Sequence, residues 1–111
     1  MKGIYLGEFE ELVLLSVANL YDDAYSISVY DDLTQQTGRK LMLSSIHKTL
    51  IRLEDKGYLR SALGKATAER GGRSKRLYRL TPAGFKAMST TRDLRQSMWI
   101  RIPKINLQGH E

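Results

Sequence analysis

Residues 71–84, GGRSKRLYRLTPAG, place a turn, a cationic strand and a helix start next to one another. Two adjacent glycines allow the backbone angles of a tight loop tip, and three cations follow within the next four residues. Thr81 followed by Pro82 is typical of a helix N-terminus, because threonine caps the helix and proline at the first position loses no hydrogen bond. A basic hairpin that leads into a helix indicates an arm that contacts nucleic acid.

The positive charge of the chain is concentrated around this run. The 111 residues carry a net charge of +6, yet residues 1–38 hold one lysine against seven acids. Residues 60–80 hold seven cations and one acid, so this segment alone carries +6. A local basic stripe is the expected footprint of a surface that binds a polyanion, although a run of charge also fits a solvated face.

The sequence shows no constellation typical of catalysis or metal binding. The acid pairs at 22–23 and 31–32 have no nucleophile, glycine loop or metal-ligand spacing beside them. His47 has no second imidazole near it and is interpreted as a polar helix residue, while His110 lies in a polar tail. The chain has no cysteine, which excludes disulfides and thiolate metal sites. We expect a protein that is not an enzyme and has no cofactor.

Length and hydropathy set further bounds. With 111 residues, 41% of them hydrophobic, the chain can bury one modest core. The longest apolar stretch, residues 12–15, is too short to span a bilayer, and the N-terminus lacks the pattern of a secretory signal. We expect one soluble, cytoplasmic unit with no membrane partner.

Hydrophobic spacing predicts three helices before the hairpin. The first covers residues 8–21, and the second covers residues 25–36 with Ile27, Tyr30 and Leu33 on its apolar face. The third is capped by Ser44 or Ser45, ends at Gly57 and buries a stripe of apolar side chains. That stripe is Ile46, Leu50 and Leu53, which leaves a cationic outer face without an acid, formed by Ser45, Lys48, Thr49, Arg52 and Lys56.

The hairpin strands are predicted at residues 58–63 and 75–80, with a long loop between them. A last helix is predicted at residues 82–99. Its apolar stripe, which follows a complete small domain, favours packing against a partner subunit rather than against its own core. The stripe consists of Phe85, Met88, Leu94 and Met98.

The order of these elements, the segment IRLEDKGYL that closes the third helix, and GGRSKRLYRLTPAG together resemble the PadR family of winged-helix transcriptional regulators. The resemblance covers residues 12–88. It implies a mainly α fold with a small antiparallel β-hairpin, that is, a winged helix-turn-helix with an added C-terminal dimerisation helix. We expect the winged-helix domain at 1–81, the dimerisation helix packed with it at 82–102, and a flexible tail at 103–111.

The chain departs from the family pattern at the start of the third helix. Family members carry glycine, threonine, tyrosine and proline there, and this chain has Ser44, Ser45, His47 and Lys48. The usual histidine-glycine before Tyr25 is also replaced, by aspartate and alanine. These departures concern the base preference rather than the fold.

In helix-turn-helix recognition the second helix of the motif enters the major groove and flanking groups contact phosphates. Applied to this sequence, the first half of the third helix faces bases or nearby phosphates, and Thr49 and Arg52 further along it contact the backbone. Tyr25 at the start of the second helix contacts a phosphate, and the wing follows the adjacent backbone or minor groove. The predicted DNA-binding residues are Tyr25, Ser44, Ser45, His47, Lys48, Thr49, Arg52, Arg70, Arg73, Lys75 and Arg76.

The resemblance also implies a homodimer held by the first and last helices. Trp99 is interpreted first as an interface aromatic, and second as a candidate to hold a small aromatic effector, as aromatic side chains on the last helix do in some similar regulators. The predicted dimer contacts are Phe9, Leu12, Leu94, Met98 and Trp99.

The predicted function is a sequence-specific DNA-binding transcriptional regulator, a repressor that binds an inverted-repeat operator as a homodimer and is released by a small molecule. One alternative is a winged-helix module that docks an acidic protein partner through the basic hairpin. An RNA-binding domain is disfavoured, because the sheet lacks an aromatic stacking platform and Tyr58 and Tyr78 are expected in the core.

Overall fold

The computed structural model describes residues 6–64 and 75–107. Within these ranges the chain is mainly helical with one two-stranded antiparallel sheet, as predicted, and has no helix long and apolar enough to cross a membrane. In chain order the elements are α1 (Glu8–Asn19), α2 (Ser26–Thr37), α3 (Leu43–Asp55), β1 (Leu59–Leu63), β2 (Arg76–Leu80), α4 (Pro82–Ile100) and a short 3-10 turn at Lys104–Leu107.

The hydrophobic core lies where α1, α2 and α3 meet the hairpin. The predicted stripe of α3 is confirmed, since Ile46, Leu50 and Leu53 are fully buried. Val13 and Leu14 of α1 are equally buried, and they meet this stripe from the other side of the core. Spacing of three and four residues places such side chains on one helix face, so burying that face fixes how each helix is rotated.

The capping of α2 fixes where its first residues lie. Tyr25 is the N-cap residue, and its backbone N–H donates to the Ser28 hydroxyl at 2.9 Å. Gly38 ends the helix with a φ of 69°, a left-handed conformation that favours glycine. The helix therefore ends at Thr37, one residue later than predicted.

The predicted apolar face of α2 is wrong at one position. Ile27 is exposed, whereas Val29 and Leu33 are buried and Tyr30 packs against the core while half-buried. Val29 and Leu33 are four residues apart and share one face, and Ile27, two residues before Val29, points elsewhere.

The predicted cap of α3 is also wrong. Ser44 and Ser45 lie inside the first helical turn, and Met42 is the N-cap residue without any side-chain cap bond. The chain is still extended at Met42, and its carbonyl accepts from the N–H groups of Ser45 and Ile46 at 3.0 and 3.3 Å. The helix therefore begins one residue before the serines. Gly57, with a φ of 84°, follows the helix as predicted.

The hairpin pairs Leu59 with Leu80 and Ser61 with Tyr78. As predicted, Tyr78 is buried, and Tyr58 packs against the core while half-buried. β1 begins one residue later than predicted, because the Tyr58 N–H donates to the Leu53 carbonyl at the end of α3. The predicted loop between the strands falls largely outside the described residues.

The start of α4 is as predicted. The Thr81 hydroxyl accepts from the Gly84 N–H at 3.0 Å, and Pro82 occupies the first helical position. Gly84 has no room for a side chain, since a Cβ there would collide with the Tyr58 carbonyl oxygen. The first half of α4 packs on the chain's own core through Ala87 and Met88, contrary to the prediction for Met88, and all residues from 92 to 100 are exposed.

Candidate nucleic-acid interface

The first half of α3 presents the side chains that were predicted to face bases. Ser44, Ser45, His47 and Lys48 are all exposed on this helix. His47 is held from one side, because its Nδ1 lies 3.3 Å from the hydroxyl of Ser26 at the start of α2. The structure therefore brings the N-terminus of α2 and the middle of α3 together on one surface.

Thr49 does not belong to this surface, so its predicted DNA contact is wrong. Its side chain is 2% exposed, because it lies three residues after Ile46 and one before Leu50, on the edge of the buried stripe. Its hydroxyl accepts from the Arg52 guanidinium at 3.3 Å. The outer face of α3 was predicted to be cationic and to have no acid. It contains an exposed acid, Asp55, so this prediction is wrong.

The side chains of Arg52 and Lys56 both form ion pairs with Glu10 of α1. The Glu10 carboxylate lies 2.7 Å from the Lys56 ammonium and 3.4 Å from the Arg52 guanidinium, and it accepts from the Gly7 N–H at 3.2 Å. Partial burial acts to raise the pKa of Glu10, but the hydrogen bonds from Lys56 and Gly7 and the charges of Lys56 and Arg52 together lower it. The positive charge of Arg52 is thus partly neutralised by an acid of the same chain.

Lys75 and Tyr25 were predicted as separate DNA contacts, and the structure brings them together. The Lys75 ammonium lies 4.0 Å from the centroid of the Tyr25 ring and 3.7 Å from the Asp23 carboxylate. The Lys75 side chain is 24% exposed, so it is partly covered by these partners. The base of the wing is therefore attached to the start of α2.

A second set of polar contacts attaches the hairpin to α3 and to the end of α1. Arg76 is exposed and donates to the Ser61 hydroxyl at 3.0 Å, and Ser61 donates in turn to the Glu54 carboxylate at 2.8 Å. On the opposite face of β2, Arg79 donates to the Asp22 carboxylate at 2.7 Å. Arg76 remains accessible to a ligand, whereas the Arg79 charge is paired.

Two of the predicted wing contacts, Arg70 and Arg73, lie outside the described residues. Their assignment stays a prediction from the sequence.

The predicted dimer residues fall into two groups. Phe9 and Leu12 are half-buried and pack against the core of the same chain. Leu94, Met98 and Trp99 are exposed on the second half of α4, Trp99 most of all at 72%. A shallow groove of about 300 Å³ runs along this part of the helix, lined by Arg95, Met98, Trp99 and Ile102.

Several polar residues that orient the candidate surface were not predicted from the sequence. Five of the seven acids of residues 1–38 pair with cations from the basic remainder of the chain, and the segregation of charge along the sequence was the signal for this pairing. Over residues 6–64 and 75–107 no group of three His, Asp or Glu side chains could hold a metal ion. The pairs are Glu8 with Arg39, Glu10 with Arg52 and Lys56, Glu11 with Arg95, Asp22 with Arg79, and Asp23 with Lys75.

The fold is similar to those of solved regulators. A PadR-like transcriptional regulator from Bacillus cereus superimposes with a TM-score of 0.71 at 16% identity, over 92% of this chain and 93% of that chain. A PadR family transcriptional regulator from Eggerthella lenta gives 0.68 at 20% identity, over 93% and 88%. The Aeropyrum pernix ORC1 protein in complex with DNA gives 0.58 at 24% identity, over 82% of this chain and 26% of that one. No protein-family model matches the sequence, and no curated protein matches it either.

Three helices followed by an antiparallel hairpin define a winged-helix protein. More particularly, the fold is that of the PadR-like transcriptional regulators, over more than nine tenths of the chain. The resemblance drawn from the sequence is therefore confirmed at the level of the fold.

Proposed function

We propose that this chain is a sequence-specific DNA-binding transcriptional regulator. The observation that carries the proposal is the exposed polar first half of α3, next to a hairpin that holds the excess positive charge of the chain. The likeness in fold to transcriptional regulators supports it, and so does a neighbour in fold whose structure is a complex with DNA.

The proposed docking mode places α3 in the major groove. Its exposed N-terminal residues meet base edges, as in other helix-turn-helix proteins, while Lys48 lies where it can reach a base or a phosphate. The wing follows the adjacent backbone, with Arg76 at its base and Arg70 and Arg73 in the segment beyond it. Lys75 and Tyr25 contribute by orienting the wing, and their remaining exposed surface is available to a phosphate.

The proposal includes a homodimer that is formed by α1 and α4. The exposed apolar side chains on the second half of α4 support it, because such a surface is stabilised by burial against a second copy. Residues 1–81 then form the DNA-binding unit and residues 82–102 the dimerisation helix. Two recognition helices related by a twofold axis reach successive major grooves about 34 Å apart, so the operator is an inverted repeat.

Repression, a cytoplasmic location and release by a small aromatic effector complete the proposal. The groove beside Trp99 offers an aromatic face, which suits a flat ligand held between subunits.

Selection of bound duplexes from a random pool tests the proposal. A symmetric enriched motif, together with a dimer in analytical ultracentrifugation, is the expected result. Enrichment of no duplex would contradict DNA recognition, and a stable dimer that ignores DNA but binds acidic proteins would favour the protein-interaction module instead. An enriched motif without symmetry would retain DNA binding and reject the twofold arrangement.

A further inference from the structure

Three large apolar side chains lie exposed around the proposed base-contacting residues of α3. Met42 is 67% exposed, and Leu43 and Ile51 are each 44% exposed. None of the three is among the buried residues of the helix, which are Ile46, Thr49, Leu50 and Leu53. Single exposed apolar residues are common on protein surfaces, but Leu43 and Ile51 flank His47 along α3, and Met42 is the N-cap residue just before them.

Their positions follow from the helix repeat. Leu43 and Ile51 stand four residues before and four residues after His47, so the three residues form one row along α3. Met42 immediately precedes the row at the N-cap. Next to it runs the polar row of Ser44 and Lys48. The surface that the proposed docking mode turns toward the groove is therefore half apolar.

The identity of Met42 is unfavourable for the helix itself. A serine, threonine, asparagine or aspartate at the N-cap position would satisfy a free backbone N–H, and methionine makes no such bond. The neighbouring serines show that short polar residues occur at this point of the chain, yet the cap position has a long apolar side chain. A residue that disagrees with the local helix preference, and makes no stabilising bond in return, is expected at a functional site.

The major-groove edges of the four base pairs offer one apolar group, the C5 methyl of thymine. A flexible methionine and a branched leucine at the first turn of a recognition helix match that group in both size and chemistry. The adjacent Lys48 and the basic hairpin complement the phosphates on either side. DNA is thus the partner that matches both the apolar and the cationic parts of this surface.

We propose that Met42 and Leu43, with Ile51 about two turns further along α3, read thymine methyl groups in the operator. The inference rests on the proposed DNA-binding function and adds to it the chemistry of base selection. The serines and His47 select by hydrogen bonding, and the apolar residues select for thymine at neighbouring base pairs.

The test replaces each thymine of the selected duplex, one at a time, by deoxyuridine, which lacks only the methyl group. Losing a buried methyl contact lowers affinity about fourfold. We expect a loss of this size at one or more thymines of each half-site, and no loss at thymines outside the site.

The double variant Met42→Ala with Leu43→Ala assigns the effect to these side chains. We expect it to bind the thymine and deoxyuridine duplexes equally at one or more of the sensitive positions, while any position read by Ile51 keeps its discrimination. For each protein, the affinity for the deoxyuridine duplex is divided by the affinity of the same protein for the thymine duplex. A change in the folded fraction of a variant therefore cancels in this ratio. The control is Ile105→Ala, which truncates an exposed apolar residue in the turn after α4, outside the proposed contacts, and keeps the full discrimination.

Two results would overturn the inference: wild-type protein that is indifferent to every replacement, or a double variant that discriminates as well as wild type does. Enrichment of no duplex in the original selection is a different failure, since it removes the proposed function and this inference together.

Discussion

The ammonium group of Lys75 lies 4.0 Å from the centroid of the Tyr25 ring, with the Asp23 carboxylate 3.7 Å away on the same ammonium. Beside this contact the Tyr78 N–H donates to the Ala24 carbonyl at 2.8 Å. Together these contacts join the base of the wing to the segment that starts α2. The base of the wing is therefore attached to residues 23–25, directly before Ser26, whose hydroxyl lies 3.3 Å from His47 of α3.

The contact predicts energetic coupling between the two side chains. Tyr25→Leu and Lys75→Met should each lower the free energy of unfolding, and the double variant should lose about 0.5–1 kcal/mol less than the sum of the two losses, since a cation–π contact can be lost only once. Urea unfolding of the four proteins measures the coupling. Tyr25→Phe keeps the ring and should keep the coupling with Lys75. Strictly additive losses would show that the contact contributes nothing.

Acid stability should depend on Glu10. Its pKa in the folded chain lies below the ordinary value of 4.5, so its contribution to stability is present above that value and is lost as the pH falls through the folded pKa. Glu10→Gln should therefore flatten the decline of the urea midpoint below about pH 4.5.

The decline should persist in part in Glu10→Gln, because the hydrogen bond and the charge of Arg39 also lower the pKa of Glu8. A profile of Glu10→Gln that superimposes on that of wild type at every pH would refute the assignment.

The salt dependence of DNA binding should report the phosphate contacts. About six to eight contacts per dimer give a slope of log affinity against log salt of about −5 to −7. Lys48→Ala removes one contact per protomer and should make the slope shallower by about 2 per dimer.

Lys86→Ala is the matched control for Lys48→Ala, because Lys86 is equally exposed but lies on α4, away from the proposed surface. Its slope should equal that of wild type. An unchanged slope for Lys48→Ala would place that lysine off the backbone, and equal changes for both lysines would indicate a diffuse charge effect.

The parts of the fold that could be predicted are those that depend on local chemistry. The buried stripe of α3 and the Thr81 cap of α4 follow from residues a few positions apart. The start of α3 at Met42 could not be predicted, because the two serines next to it are better caps by propensity. Which of several candidate residues caps a helix is decided by where the chain enters it, and that is a property of the tertiary structure.

The candidate site also combines features that could be predicted from local sequence with features that depend on the tertiary structure. The exposed set of Ser44, Ser45, His47 and Lys48 follows from the helix repeat, whereas Thr49 sits at the boundary between faces, where the repeat does not decide burial. The pairing of Glu10 with Arg52 joins residues far apart in sequence. Charge segregation along the chain indicated that such pairs exist, but which acid meets which cation depends on the packing of α1 against α3.

The exposed second half of α4 leads to the last prediction, on dimerisation. Trp99 is 72% exposed, and Leu94 and Met98 on the same half of the helix are exposed as well, so a second copy is the proposed cover for this surface. Trp99→Ser should raise the dimer dissociation constant more than tenfold, since a central tryptophan commonly dominates an interface. Sedimentation velocity over a concentration series measures it. Phe85 was predicted in the stripe that meets the partner, but it lies on the half of α4 whose Ala87 and Met88 pack on the core of the same chain, so Phe85→Ser should leave the dimer unchanged. If both variants dissociate alike, the interface extends along the whole helix, and if neither does, α4 is not the dimer contact.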